Sequence, residues 1–160
     1  MKTVIFLDRD GVIIKERGEY NYLPAHINMV DGIVEALKKI TEYGFDIIII
    51  TNQGGIALCK FKTTDANFIN ETIIQFFKSY GLEILDIVYC PHHPDVSKCI
   101  CRKPDSLLIE KMIHIYKINP NESWLVGDQE RDIEAGHKAG LKTILIKPND
   151  DLNNYIQLMV

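Results

Sequence analysis

Short apolar runs alternate along this chain with segments of helical periodicity, and this alternation limits the fold more than any other feature. Five runs have the length of strands, and they cover residues 3–7, 45–50, 84–89, 124–126 and 143–146. The second run contains consecutive isoleucines at 47–50, which is typical of a strand buried on both faces. Because a helical segment follows each of the first four runs, the sequence predicts an α/β fold with a parallel sheet and crossover helices.

The first two helical segments carry both apolar stripes and end signals. In the first, Asp31 is suited to cap the start and Gly44 to end the helix. The second has the clearer pattern, and it extends from a Thr63/Thr64 cap to Gly81. Its stripe recurs at three-to-four spacing and consists of Phe68, Ile69, Thr72, Ile73, Phe76, Phe77 and Tyr80.

The later segments have weaker signals. Pro104 suits the first turn of a third helix, and residues 133–139 form a fourth that Gly140 ends. Residues 151–160 are expected to form a last helix packed on the sheet. The stretch 12–30 has no clear periodicity, and long loops in compact domains are usually functional.

Length and charge narrow the class of protein. A chain of 160 residues with 46% hydrophobic and 25% charged residues fits one globular domain, which we expect to cover residues 1–160. A net charge of -4 offers no basic field for a nucleic acid partner. No apolar run reaches the roughly 18 residues of a membrane span, so we expect no membrane partner and a cytoplasmic location.

Polar side chains follow four of the predicted strands. They occur in Asp8-Arg9-Asp10-Gly11, Thr51-Asn52-Gln53-Gly54-Gly55, Arg102-Lys103-Pro104 and Gly127-Asp128. Each alone has an ordinary explanation as a solvated turn, a glycine turn or a helix cap. Parallel strands bring their carboxyl ends together, however, so carboxylates, a hydroxyl and a lysine are expected to face one point. This set suits phosphoryl transfer through an enzyme carboxylate, assisted by Mg²⁺.

A cluster of thiols and imidazoles precedes the lysine. Cys90, His92, Cys99 and Cys101 have spacings that can close a tetrahedron around a structural Zn²⁺, with His93 as the alternative imidazole. Ordinary free thiols are the other interpretation, and Cys59 lies apart as one. Because Arg102-Lys103 follows the last thiol directly, the metal would hold the segment that carries the lysine.

These motifs resemble, in order, the four motifs of the haloacid dehalogenase (HAD) superfamily, over nearly the whole chain. The resemblance implies a Rossmann-like, doubly wound parallel five-stranded sheet. It also implies that Asp8 is the nucleophile that becomes an aspartyl phosphate, and that Asp10 is the general acid and base. The spacing between the first strand and its helix, and between the second strand and the next, leaves no room for a separate cap domain, so the site is expected to be open.

The resemblance assigns binding roles as well. The phosphoryl oxygens are held by Thr51, Asn52 and Lys103. The Mg²⁺ ligands are Asp8, the main-chain carbonyl of Asp10, and Asp128. Asp132 orients these ligands.

Within the superfamily, the Cys/His loop resembles the D-glycero-D-manno-heptose 1,7-bisphosphate phosphatases and the related histidinol-phosphate phosphatases. Two departures from the heptose branch are Gly54 in place of Ser and Leu58-Cys59 in place of Arg-Gly, which removes a cation for a second phosphate. The remaining distal substrate contacts are expected to be Gln53, Arg102, Glu16, Arg17, Gly18 and Glu19.

The resemblance therefore implies a Mg²⁺-dependent phosphatase, stabilised by Zn²⁺, that removes the C7 phosphate of the heptose bisphosphate during bacterial heptose precursor synthesis. Histidinol phosphate is the alternative substrate. A zinc-stabilised binding module without turnover is the alternative of another class. A polynucleotide 3′-phosphatase shares the motifs, but the net charge of -4 disfavours it. We expect a monomer whose partner is a small sugar phosphate.

Overall fold

The computed structural model describes residues 1–160 and contains one parallel five-stranded sheet. The strands are β1 (Val4–Leu7), β2 (Asp46–Asn52), β3 (Asp86–Cys90), β4 (Trp124–Gly127) and β5 (Lys142–Leu145). Their order across the sheet is β3-β2-β1-β4-β5. This order confirms the predicted doubly wound sheet, in which β1 lies at the centre and the chain winds outward in both directions.

Four α-helices connect the strands and cover both faces of the sheet. They are α1 (Ile33–Glu42), α2 (Thr63–Ser79), α3 (Leu107–Tyr116) and α4 (Glu130–Lys138). Buried residues of α1 and α2 pack on one face, together with the chain end near Leu152 and Ile156. Buried residues of α3 and α4 pack on the other face.

Alternation along the central strands explains the run of isoleucines. Ile47 and Ile49 of β2 belong to the core on the α1/α2 face, whereas Ile48 and Ile50 belong to the core on the α3/α4 face. Successive side chains of a strand point to opposite faces, and both faces are covered here. All four isoleucines are consequently almost completely buried.

Several expected helix ends are wrong in detail. The N-cap of α1 is Gly32 instead of Asp31, and that of α2 is Lys62, whose N–H donates to Asp65 Oδ2 at 2.7 Å. The third helix starts at Leu107, so Pro104 lies in the preceding turn. The expected last helix consists of two short 3-10 turns, Leu152–Asn154 and Ile156–Leu158.

Two other expectations about the helices need correction. Phe68 and Tyr80, expected on the buried stripe of α2, are about half exposed at 52% and 49%. The fourth helix begins at Glu130, three residues before its expected start at position 133. The first turn of this helix is polar, so the apolar periodicity does not show where the helix begins. Helix ends are set by capping and hydrogen bonding.

The loop between β1 and α1, residues 8–32, is anchored in the core. Its Val12, Ile13 and Ile14 are fully buried, and Ile14 forms an antiparallel bridge with Met29. No separate cap domain is inserted here or after β2. None of the helices is long and apolar enough to cross a membrane.

Candidate active site

A buried ion-pair cluster lies at the carboxyl end of β1. Asp8 directly follows β1, and its Oδ1 is 2.9 Å from Lys103 Nζ. The same ammonium group is 2.6 Å from Asp132 Oδ1 and donates a hydrogen bond to the main-chain carbonyl of Ile50 at 2.9 Å. Asp8, Lys103 and Asp132 are all buried. The lysine ammonium is therefore held in place from three elements of the fold.

The protonation of these groups is strongly shifted. Burial raises the pKa of Asp8 to about 7, an effect that Lys103 opposes and Asp132 reinforces. Burial alone would lower the pKa of Lys103, but the two carboxylates outweigh it and the pKa is raised. Burial and the Asp132 charge also raise the pKa of Asp128. Asp8 and Asp132 thus share one ammonium group, and Asp128 lies close to both carboxylates, which leaves negative charge in excess.

The excess charge and the positions of the oxygens fit a divalent cation. Carboxylate oxygens of Asp8, Asp128 and Asp132 lie within 4.8 Å of one another. Gly11 has a φ of +91°, and a Cβ there would collide with the carboxylate of Asp128. Hard oxygen donors around a small space are what Mg²⁺ prefers. Asp132 Oδ2 also accepts a hydrogen bond from Gln129 N–H at 3.0 Å, which fixes this carboxylate on its own helix end.

Asp10 is held by donors from three parts of the chain. Arg9 donates through Nε to Asp10 Oδ2 at 3.2 Å, and Gln53 Nε2 donates to the same oxygen at 3.0 Å. Asn21 Nδ2 donates to Asp10 Oδ1 at 2.7 Å. The Arg9 guanidinium is fully buried and also donates to the side chain of Asn70 at 3.1 Å. The carboxylate of Asp10 is therefore fixed in one orientation beside Asp8.

Thr51 and Asn52 end β2, Gln53 follows it, and their side chains make different contacts. Thr51 is buried, and its Oγ1 accepts a hydrogen bond from Gln53 Nε2 at 2.9 Å. Asn52, expected to contact phosphate, uses both ends of its amide on the main chain of Lys103, at 3.0 Å each. Gln53, expected as a distal contact, is buried against Asp10. Asn52 positions the lysine segment, and Gln53 positions the acid.

A polar cavity lies next to these groups. Some of the residues that were expected as distal substrate contacts line it, and others do not. Glu16 and Glu19 line it, whereas Arg17, Gly18 and Arg102 do not. Arg17 Nε instead donates to Asn21 Oδ1 at 2.8 Å, and an Arg102 nitrogen donates to the carbonyl of His92 at 3.1 Å. The lining consists of Asp8, Asp10, Glu16, Glu19, Tyr20, Asn21, Thr51, Asn52, Gln53, Asp128, Gln129 and Arg131.

Sequence reasoning missed four of these lining residues: Tyr20, Asn21, Gln129 and Arg131. Gln129 and Arg131 stand close to Asp128, whose motif the sequence marks, so their position offered a signal. Asn21 and Tyr20 lie in the aperiodic loop, and no local pattern marks them. Only the course of that loop over the sheet edge brings them to the cavity.

The predicted thiol and imidazole groups come together in a second cluster. Cys101 Sγ lies 3.2 Å from Cys90 Sγ and 3.2 Å from His92 Nδ1, and Cys99 Sγ lies 3.7 Å from Cys90 Sγ. His93 is outside the cluster, where its Nδ1 accepts a hydrogen bond from Asp95 N–H at 3.2 Å. The four clustered side chains could hold one metal ion, and their chemistry is that of a filled tetrahedral zinc site.

The protonation of the thiols agrees with their packing. Burial raises the pKa of Cys90 well above its ordinary value, and the pKa of Cys101 is also raised. Thiols so close to one another would have to lose protons together to bind a metal, which couples metal affinity to pH. Cys59 is exposed and does not belong to this cluster.

An aspartate and a lysine buried together at the carboxyl edge of a doubly wound sheet are suited to phosphoryl transfer through an enzyme carboxylate. The chain belongs to the haloacid dehalogenase-like hydrolases, a family that matches residues 11–146.

Comparison with individual proteins refines this assignment. The chain is 42% identical over 153 residues to D-glycero-alpha-D-manno-heptose-1,7-bisphosphate 7-phosphatase of Photorhabdus laumondii, with 90% of this chain and 82% of the relative covered. It is 32% identical to the histidine biosynthesis bifunctional protein HisB of Legionella pneumophila, covering 91% of this chain but 42% of that protein.

A solved structure shows the same arrangement of the backbone. The D,D-heptose 1,7-bisphosphate phosphatase of B. bronchiseptica, crystallised with magnesium and phosphate, superimposes with a TM-score of 0.85 at 29% identity. The match covers 98% of this chain and 87% of that one. The fold and the family, both expected from the sequence motifs, are confirmed.

Proposed function

We propose that this phosphatase removes the C7 phosphate of D-glycero-D-manno-heptose 1,7-bisphosphate through an aspartyl-phosphate intermediate. The observation that carries the chemistry is the buried contact of 2.9 Å between Asp8 Oδ1 and Lys103 Nζ at the end of β1. The substrate is supported by the relative with 42% identity, which carries the name of a heptose bisphosphate 7-phosphatase. The proposal includes a monomeric enzyme in the bacterial cytoplasm.

In the first step Asp8 attacks phosphorus. Its Oδ1 already accepts hydrogen bonds from Lys103 Nζ and from the N–H of Arg9 at 2.8 Å, so Oδ2 is the nucleophilic oxygen. A bond forms between Oδ2 and phosphorus, and the bond between phosphorus and the C7 oxygen breaks. Asp10 donates a proton to that oxygen, and the sugar leaves as an alcohol.

In the second step Asp10, now a carboxylate, takes a proton from a water molecule. The water attacks phosphorus, the bond to Asp8 breaks, and inorganic phosphate is released. Because Asn21, Gln53 and Arg9 all donate to Asp10, its carboxylate keeps the same orientation in both steps. Lys103 and the Thr51 hydroxyl stabilise the equatorial phosphoryl oxygens.

The metals have separate roles in this proposal. Mg²⁺ would be held by Asp8, the main-chain carbonyl of Asp10 and Asp128, and Asp132 would orient these ligands. When bound, Mg²⁺ supplies positive charge that keeps Asp8 ionised and neutralises the phosphoryl group. Zn²⁺ would be held by Cys90, His92, Cys99 and Cys101, and would hold the loop that leads to Lys103.

Histidinol phosphate is the competing substrate, and two facts favour the heptose. Identity to the heptose enzyme is 42%, against 32% to HisB, and the chain spans 82% of the former but 42% of the latter. A substrate panel decides between them. We expect kcat/KM on heptose 1,7-bisphosphate to exceed the values on histidinol phosphate and fructose 1,6-bisphosphate about tenfold or more, since discrimination rests on transition-state binding.

Two outcomes would contradict the proposal. A preference for histidinol phosphate would overturn the substrate. Retained turnover in an Asp8→Asn variant that still folds and binds zinc would overturn the aspartyl-phosphate mechanism. The non-catalytic alternative predicts that no sugar phosphate in the panel releases phosphate in the presence of Mg²⁺.

A further inference from the structure

The cavity wall is acidic, although its proposed substrate is an anion. Five of the twelve lining residues carry carboxylates: Asp8, Asp10, Glu16, Glu19 and Asp128. The only cationic side chain in the lining is Arg131, in the first turn of α4. Mg²⁺ and Lys103 would compensate the charge of the phosphate that is cleaved. A second phosphate elsewhere in the cavity would need another cation.

The other cations near the cavity are already engaged. Lys103 is buried between Asp8 and Asp132. Arg17 contacts Asn21 and lies 3.6 Å from Glu19 Oε2, and Arg102 donates to the carbonyl of His92. The guanidinium of Arg131, in contrast, forms no ion pair and no hydrogen bond within the protein, and its side chain is exposed.

The two glutamates that line the cavity, Glu16 and Glu19, offer less repulsion to an anion than their number suggests. Glu16 Oε1 accepts a hydrogen bond from Gly18 N–H at 2.6 Å, and Glu19 is paired with Arg17. These carboxylates are suitable acceptors for sugar hydroxyls. Among the charged residues that line the cavity, Arg131 is the one that can receive an anion.

We propose that Arg131 binds the phosphate group of the substrate that is not cleaved, and that it makes the enzyme selective for sugars with two phosphates. This inference rests on the proposed function and adds a specificity-determining residue to it. A guanidinium presents parallel N–H donors that match two phosphate oxygens, which a single ammonium group does not. Binding of the distal phosphate would also orient the reacting phosphate toward Asp8.

The experiment compares a substrate with two phosphates and its analogue with one. kcat/KM is measured on heptose 1,7-bisphosphate and on heptose 7-phosphate for the wild type, Arg131→Gln and Arg131→Lys. Because the site is solvent-exposed, we expect Arg131→Gln to reduce the ratio of the two values about tenfold, mainly through KM. Arg131→Lys keeps the charge and should retain part of the preference.

Lys138→Gln is the matched control, because it removes a positive charge from the far end of the same helix. Lys138 contacts Glu134 at 3.0 Å and Asp105 at 3.5 Å, away from the cavity. The ratio should be unchanged in this variant. The inference is overturned if Arg131→Gln leaves the ratio unchanged, or if Arg131→Gln weakens turnover of both substrates equally.

A binding measurement separates this inference from the proposed function. Calorimetric titration of heptose 1,7-bisphosphate into Asp8→Asn and into the Asp8→Asn/Arg131→Gln double variant needs no turnover. If the wild type hydrolyses neither sugar phosphate, the proposed function fails. Weaker binding by the double variant would still support the role of Arg131, and equal affinity would refute it.

Discussion

Replacement of Asp8 by asparagine should abolish turnover and, at the same time, stabilise the Mg²⁺-free protein at neutral pH. Asp8 and Asp132 are both buried and share the single ammonium group of Lys103. Without a metal, this arrangement contains one negative charge too many. The Asp8→Asn change would keep the shape of the side chain and leave a neutral Lys103–Asp132 pair, so the folded state would lose an unfavourable charge.

The pKa of Asp8 determines the size and the sign of the effect. Its ordinary value is 3.8, and in the folded protein it is about 7. Between these two pH values the folded wild type binds more protons than the unfolded chain. Its free energy of unfolding therefore falls as the pH rises through this range, and the contribution of Asp8 is constant above the folded-state pKa. The whole difference corresponds to roughly 4 kcal/mol, and loss of the hydrogen bonds from Lys103 and Arg9 offsets part of it. At a pH above the folded-state pKa of Asp8, we expect the free energy of unfolding of Asp8→Asn to exceed that of the wild type by about 1–3 kcal/mol.

Urea denaturation of both proteins between pH 5 and pH 8 measures this gain. The buffer contains no Mg²⁺ and no chelator, so that a metal held by the Cys/His cluster would stay bound. The stability of Asp8→Asn relative to the wild type should increase by roughly 3 kcal/mol from pH 5 to pH 8, because about two pH units of this range lie below the folded-state pKa of Asp8 and each corresponds to about 1.4 kcal/mol. Added Mg²⁺ should stabilise the wild type more than the variant. A difference that does not change with pH, or a variant less stable than the wild type at pH 8, would refute the reasoning.

Three further predictions concern the residues that position the site. Asn52→Leu removes both hydrogen bonds to the main chain of Lys103 and should lower kcat about 10-fold or more. The melting temperature is the control, and it should fall only slightly. Gly11→Ala places a methyl group against Asp128 at a φ of +91°. In a Mg²⁺ titration of activity, half-saturation should therefore need a Mg²⁺ concentration about tenfold or more above that of the wild type. An unchanged midpoint would contradict the proposed metal position. Cys101→Ser should reduce the bound zinc, determined by elemental analysis, and lower both kcat and the melting temperature. Cys59→Ser is its control, because that thiol is exposed and outside the cluster, and equal losses in both variants would rule out a structural zinc site.

The strands could be predicted because their signals are local. The consecutive isoleucines of β2 indicated a strand buried on both faces, and both faces are in fact covered. The helix ends were predicted less well. A threonine hydroxyl at 63 or 64 is a plausible cap by type, but Asp65 accepts the hydrogen bond from Lys62 N–H instead. Residue type alone does not decide which of several neighbouring polar groups meets the free N–H groups of a helix.

The sequence by itself determined the α/β class, the positions of Asp8, Asp10, Thr51 and Asp128 at strand ends, and the composition of the Cys/His cluster that precedes Lys103. Each of these follows from residues close together in the chain and from the rule that parallel strands end at one edge. Only the tertiary structure decided that Asn52 positions Lys103, that Asn21 holds Asp10, and that Arg131 faces the cavity. These contacts join residues from different loops, and their geometry is set by how the loops pack over the sheet edge, which no local pattern encodes.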